Sequence, residues 1–167
     1  GMWGEAVRLP SNVNQEGTTS TQPSIGYDEN TEKELLFFVS NRASEAGGKN
    51  GDLDIYCSLI ESNGQIGTPV KLNINTEEDD VTPFFDTKSQ TLYFSSMGLQ
   101  NMGGFDIYST KKNEYGWETA NHLGMPINSS YDDLYYSLNS EQRVSYLSSN
   151  REGAICDEEN GLCTGCN

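Results

Sequence analysis

The chain has 167 residues, with 10 Lys plus Arg against 25 Asp plus Glu, a formal net charge of −15 and a pI of about 4.2. That balance excludes a nucleic-acid surface, which needs a basic patch to meet phosphate, and argues against docking on anionic lipid. Hydrophobic residues make up only 34%, but 9 Tyr, 6 Phe and 2 Trp favour a packed core over disorder.

No stretch approaches the ~20 apolar residues of a membrane-spanning helix, so no membrane span is expected in this chain. The leading Gly1-Met2 reads as an expression scar before an internal start, with a signal peptide already removed.

Taken in chain order, the predicted elements repeat. Trp3–Leu9 reads as an outer strand with no inner strands before it. A Leu followed by an Ile/Val-Asn pair comes next, as Leu9 with Val13-Asn14, and returns as Leu72 with Ile74-Asn75 and Leu123 with Ile127-Asn128. An inner strand is predicted over Gln22–Tyr27, matched by Val81–Asp86 and Asp133–Leu138. The second and third of these follow an acidic pair, Asp79-Asp80 and Asp132-Asp133, which the first copy lacks. Then comes an aromatic strand ending in serine, at 35–42, 91–98 and 144–151. A Gly-rich approach to Asp-Ile-Tyr follows at 51–56 and 103–108. A fourth, outer strand is predicted over Gly67–Leu72 and Trp117–Leu123.

The spacing is regular. Phe38 to Phe94 is 56 positions and Phe94 to Leu147 is 53; Asn75 to Phe94 and Asn128 to Leu147 are both 19. Asn14 to Phe38 is 24, so the first copy carries about five extra residues, expected near Asp28–Lys33. A period of about 50 with four short strands per unit is the signature of a propeller blade. The expectation is therefore an all-β fold of about three four-stranded antiparallel blades, a partial or incomplete propeller. It forms a single domain over 1–167, with units near 3–56, 66–108 and 117–151 and a Cys-rich tail at 152–167.

Ser40-Asn41-Arg42, Ser148-Ser149-Asn150-Arg151, the two Asp-Ile-Tyr triplets and Leu123 to Asn128 followed by Asp132-Asp133 resemble the TolB-like, WD-like β-propeller repeats. The wording looks like repeats of bacterial envelope proteins that often precede an OmpA-type peptidoglycan-binding domain. The resemblance covers roughly residues 3–151. It implies a periplasmic or outer-membrane-associated protein and a protein partner in the cell envelope. Two departures stand out: Met97-Gly98 replaces Asn-Arg in the second copy, and the third lacks an Asp-Ile-Tyr strand. Because few blades are visible, the chain is expected to be a piece of a longer propeller; self-association that closes the propeller is a second expectation, with Trp3–Leu9 completing the last blade of another chain.

The acids Asp52 and Asp54, Glu77 to Asp80, Asp106, and Asp132 and Asp133 are oxygen ligands of the kind calcium takes. Recurrence once per unit points instead to structural work: capping turns through backbone N–H groups or pairing with Arg42 and Arg151. Cofactors are expected to be none, with calcium the open alternative. The Ser-Asn-Arg corner reads either as an anion fork or as a hydrogen bond and ion pair internal to each blade.

A nucleophilic catalytic system would rest on His122, the lone histidine. No Gly-x-Ser-x-Gly elbow or phosphate-cradling Gly-rich loop occurs, and the expectation is no enzyme. Trp3, Tyr115, Trp117, Tyr131, Tyr135 and Tyr136 form the aromatic set, with Trp3 and Trp117 expected to pack between blades. Tyr131, Asp132, Asp133, Tyr135 and Tyr136, with Asp79 and Asp80, are the candidate ligand-facing patch of a central funnel.

Cys57 stands alone; Cys156, Cys163 and Cys166 read as one loop disulfide plus a spare, or a partial metal site. Function is expected to be non-catalytic binding or scaffolding in a cell envelope. The alternative is a glycan-binding or glycoside-hydrolysing propeller using funnel carboxylates and tyrosines.

Overall fold

Alternating side chains build the strands, and hairpin turns space them. The computed structural model describes residues 4–43, 51–139, 141 and 144–152, and the backbone of 156–157 and 162–163. It is all-β, with no helix among the described residues. The first sheet is an antiparallel meander of β1 (Ser20–Asp28), β2 (Lys33–Ser40), β3 (Asp54–Ile60) and β4 (Val70–Lys71). The second contains β5 (Asp80–Asp86), β6 (Thr91–Ser96) and β7 (Asp106–Asn113). Two short pieces, β8 (Gly116–Trp117) and β9 (Asn121–His122), both pair with β7. The third holds β10 (Asp133–Leu138) and β11 (Ser145–Ser149). A two-stranded ribbon, β12 (Cys156–Asp157) with β13 (Leu162–Cys163), follows. The sheets do not close on one another.

The first two sheets repeat the same cross-strand register in their first three strands. Phe38 pairs with Tyr56 and Phe94 with Tyr108, and each pair stacks, at 5.8 Å and 5.9 Å between centroids. Phe37 and Val39 face one way while Leu36 and Phe38 face the other, so β2 is buried on both faces. Leu35, Phe37, Val39 and Ile55 of the first sheet meet Phe85, Leu92, Phe94 and Tyr108 of the second. Trp117 seals that junction, edge-on to Phe37 at 5.8 Å and to Phe85 at 6.2 Å. Gly26 lets the sheets approach: a Cβ there would lie 2.2 Å from the Phe85 ring.

Four expectations are corrected. Residues 4–9 of the predicted outer strand Trp3–Leu9 are not a strand, and Trp3 lies outside the described residues. A strand needs a ladder to satisfy its backbone groups, and no described strand pairs with this segment. The outer strands predicted over 67–72 and 117–123 form only as short pieces. The extra residues of the first copy do not lengthen the turn at Asp28–Lys33: Asp28 pairs with Lys33 as Asp86 pairs with Thr91. Instead β1 and β2 are each two residues longer than β5 and β6, and one further residue sits between Asn14 and Ser20. Among the described residues the third sheet has two strands rather than the four of a full blade. Cys156 pairs in register with Cys163; the predicted disulfide among Cys156, Cys163 and Cys166 falls on side chains outside the described residues.

Candidate functional site at three converging strand bulges

Each inner strand carries a bulge at the same place. Register slips by one residue between Thr21 and Ser24, between Val81 and Phe84, and between Leu134 and Ser137. In each, the second residue of the bulge is left-handed: Gln22 (φ 51°), Thr82 (φ 53°) and Tyr135 (φ 55°). A non-glycine residue there is uncommon, and for a β-branched threonine it is strained. The strain persists because the three bulges hold one another. Gln22 Oε1 accepts the Thr82 N–H at 2.9 Å, Thr82 Oγ1 accepts the Tyr135 N–H at 3.4 Å, and Gln22 Nε2 donates to the Tyr135 hydroxyl at 3.1 Å.

Around them lies an open pocket of about 310 Å³, lined by Pro23, Pro83, Phe84 and Tyr136 with the bulge residues and Ser24 and Ser137. Tyr136 lies against Tyr93 at 4.8 Å, while Tyr135 is 53% exposed. No charged side chain lines this recess.

Of the predicted ligand-facing residues, Tyr135 and Tyr136 line the pocket; Tyr131 and the four aspartates do not. The aspartates are held by the repeat. Asp79 Oδ1 accepts the Leu53 N–H at 2.8 Å, and Asp132 Oδ1 the Phe105 N–H at 3.1 Å. Each thus ties its unit to the Asp-Ile-Tyr strand of the unit before. The second acid of each pair caps the loop leading into its own strand: Asp80 takes the Thr76 hydroxyl at 2.9 Å, and Asp133 the Ser129 N–H at 2.7 Å. Asn75 and Asn128 clamp the same neighbour, each bonding the N–H and C=O of Ile55 or Ile107. Gly103 and Gly104 are needed because the acidic loop docks there. A Cβ would lie 2.1 Å from Tyr131 O at Gly103, and 2.1 Å from Asp132 Oδ1 at Gly104.

Asp54 and Asp106 occupy equivalent places with different partners. Lys71 Nζ lies 2.6 Å from Asp54, and burial nonetheless pushes the Asp54 carboxyl up. His122 Nε2 lies 3.0 Å from Asp106 Oδ2, and His122 Nδ1 accepts the Gly124 N–H at 3.1 Å. His122 Nε2 also lies 2.9 Å from Asn128 Nδ2, so both ring nitrogens are engaged within the unit.

The arginines are also internal. Arg42 donates to the carbonyls of Asn12 and Val13, both at 2.7 Å, to Ser40 Oγ at 3.1 Å, and lies 4.9 Å over the rings of Phe38 and Tyr56. Arg151 does the same to Pro126, Ile127 and Ser149, and adds Asp133 Oδ1. In the second unit Gly98 stands at this place, with Thr76 packed against it. There Asp80 Oδ1 is buried without a partner in hydrogen-bond geometry. Burial pushes this carboxyl up, against the Ser96 and Thr76 hydrogen bonds.

Among the described residues, no three of His, Cys, Asp and Glu come together as a metal-ligand set. Sequence reasoning missed the bulges, the Gln22 relay, and Asp28 and Asp86. The latter two cap the hairpin turns at Asn30 and Ser89, a role that an acid before a turn could have announced. Comparison with known proteins finds no matching family model, no matching curated protein and no matching solved structure.

Proposed function

We propose that this chain is a non-catalytic binding module of propeller-type repeats, working in a bacterial cell envelope on a protein partner. One observation carries the reading: the acids of the repeat are taken up by backbone N–H groups of their own and neighbouring units, while an uncharged pocket of proline and aromatic rings sits where the three inner strands meet. A catalytic funnel would need carboxylates from different units to converge. Aromatic and proline walls on a rigid scaffold are the usual anchor of a peptide segment. The acidic exterior would steer basic partners toward it. The envelope assignment rests on the likeness of the Ser-Asn-Arg and Asp-Ile-Tyr repeats to TolB-like ones.

The test is a photo-crosslinking residue in place of Tyr135, which is exposed at the pocket. The reading expects one envelope protein to be captured, and captured no longer once Pro83→Asp is added. Crosslinking unaffected by Pro83→Asp would overturn it. Binding on a glycan array that disappears with Tyr136→Ala would move the assignment to the glycan alternative.

A further inference from the structure

The repeats show what each sheet face packs against. Phe37, on the far face of the first sheet, stacks on Phe85 of the second at 5.4 Å. By register, Phe37, Tyr93 and Tyr146 are one position, opposite Ser24, Phe84 and Ser137. Likewise Phe85 and Ile25 are one position, opposite Leu92 and Leu36. Phe85 is 6% exposed, yet Ile25 is 66% exposed; Tyr93 lies against Tyr136, yet Tyr146 is 55% exposed. The chain therefore presents, at one end, an acceptor face on which Val13 packs with Leu36 and Phe38 while Ile25 stays open and, at the other, an exposed face equivalent to the one that covers Phe85.

The bulge relay has the same direction: the side chain of Gln22 takes the backbone of Thr82, and the side chain of Thr82 takes that of Tyr135. Directional contacts of this kind are heterologous, and they make rings when the rotation closes.

We propose that two copies associate head to tail, the Tyr146 face of each covering the Ile25 face of the other and repeating the Phe37–Phe85 junction. This rests on the propeller-type reading but is separately testable, because it needs no ligand. The occupant is a second copy because this chain alone supplies both halves of a junction it already forms internally.

Sedimentation of the 167-residue chain across a concentration series should show a species of twice 18.5 kDa. Ile25→Asp and Tyr146→Asp should each return it to the single-chain mass. Both side chains are exposed, so the near-UV signal of buried Trp117 should be unchanged. Mixing the two variants should restore a 1:1 pair, since each keeps the face the other lost. A chain that stays single at every concentration overturns the proposal, and gives the Ile25 face to another polypeptide or to a further repeat. So does dissociation by Ile25→Asp alone, which marks a face-to-face pair, or a mixture that fails to reassociate. Pocket crosslinking that survives such a result leaves the binding reading standing.

Discussion

The side-chain carbonyl of Gln22 accepts the backbone N–H of Thr82 at 2.9 Å, across 60 residues of sequence and from one sheet to the next. It is the first step of the relay that ends on Tyr135, so the pocket is shaped by contacts between units. Gln22→Ala strips Thr82 of its acceptor and Tyr135 of its donor. An expected loss of about 1–2 kcal/mol follows from leaving a half-buried N–H without a partner. Urea unfolding with an unchanged m-value would report it.

Arg42 carries a second expectation. Its guanidinium serves two carbonyls and a hydroxyl at once, over two rings, a geometry that an ammonium cannot copy. Arg42→Ala should cost about 2 kcal/mol, and Arg42→Lys should recover less than half. Gly98→Arg should destabilise as well, because a Cβ at that position would meet Thr76 Oγ1 at 2.1 Å. Thermal unfolding of the three variants ranks them.

Gly103→Ala would push the Tyr131 backbone away and carry Asp132 with it. The Phe105 N–H, which donates to Asp132 at 3.1 Å, should then lose its protection. Hydrogen exchange at that amide, compared with the Ile107 amide held by Asn128, measures the effect locally. The expected cost is about 1–3 kcal/mol.

Much of this was legible in the sequence. The order of the strands within the first two sheets follows from period and alternation, which a sequence displays directly. The bulges were not legible. A bulge is a one-residue slip decided by the partner strand, and Gln22, Thr82 and Tyr135 share no side-chain chemistry that would mark them. The Trp3–Leu9 segment failed as a strand for a related reason: alternation shows that a strand can form, but not that a neighbour exists to pair with it. The position of the first copy's extra residues was likewise settled by pairing, since longer hairpin arms and a longer turn have the same length in sequence.

Asp80 gives a pH expectation. Burial raises its carboxyl above the ordinary 3.8, so the fold favours the protonated form. The stability this contributes is full below the unfolded value and is lost as pH rises through the raised one. The advantage of the native chain over Asp80→Asn should therefore shrink as pH climbs from below 3.8, and then level off. Paired urea titrations from acid to neutral pH test the sign; an advantage that grows with pH would refute it.

Cys57 is held as an inert thiol. Burial pushes it up to about 12, so almost none is thiolate near neutrality. With Cys156, Cys163 and Cys166 replaced by Ser, alkylation at mildly alkaline pH should be slow in buffer and fast in urea. Equal rates would show that the β3 face opens readily.

The bulges have one more consequence, for aggregation. β1, β5 and β10 each form an edge of their sheet, and a flat edge invites a foreign strand to add to it. In the first two, the left-handed residue bends the edge and the next residue, Pro23 or Pro83, has no N–H to offer. The third has Tyr136 at that place, a good β-former with its donor intact. Fibril growth from a partly opened chain would accordingly begin on β10, the one inner edge without a proline guard.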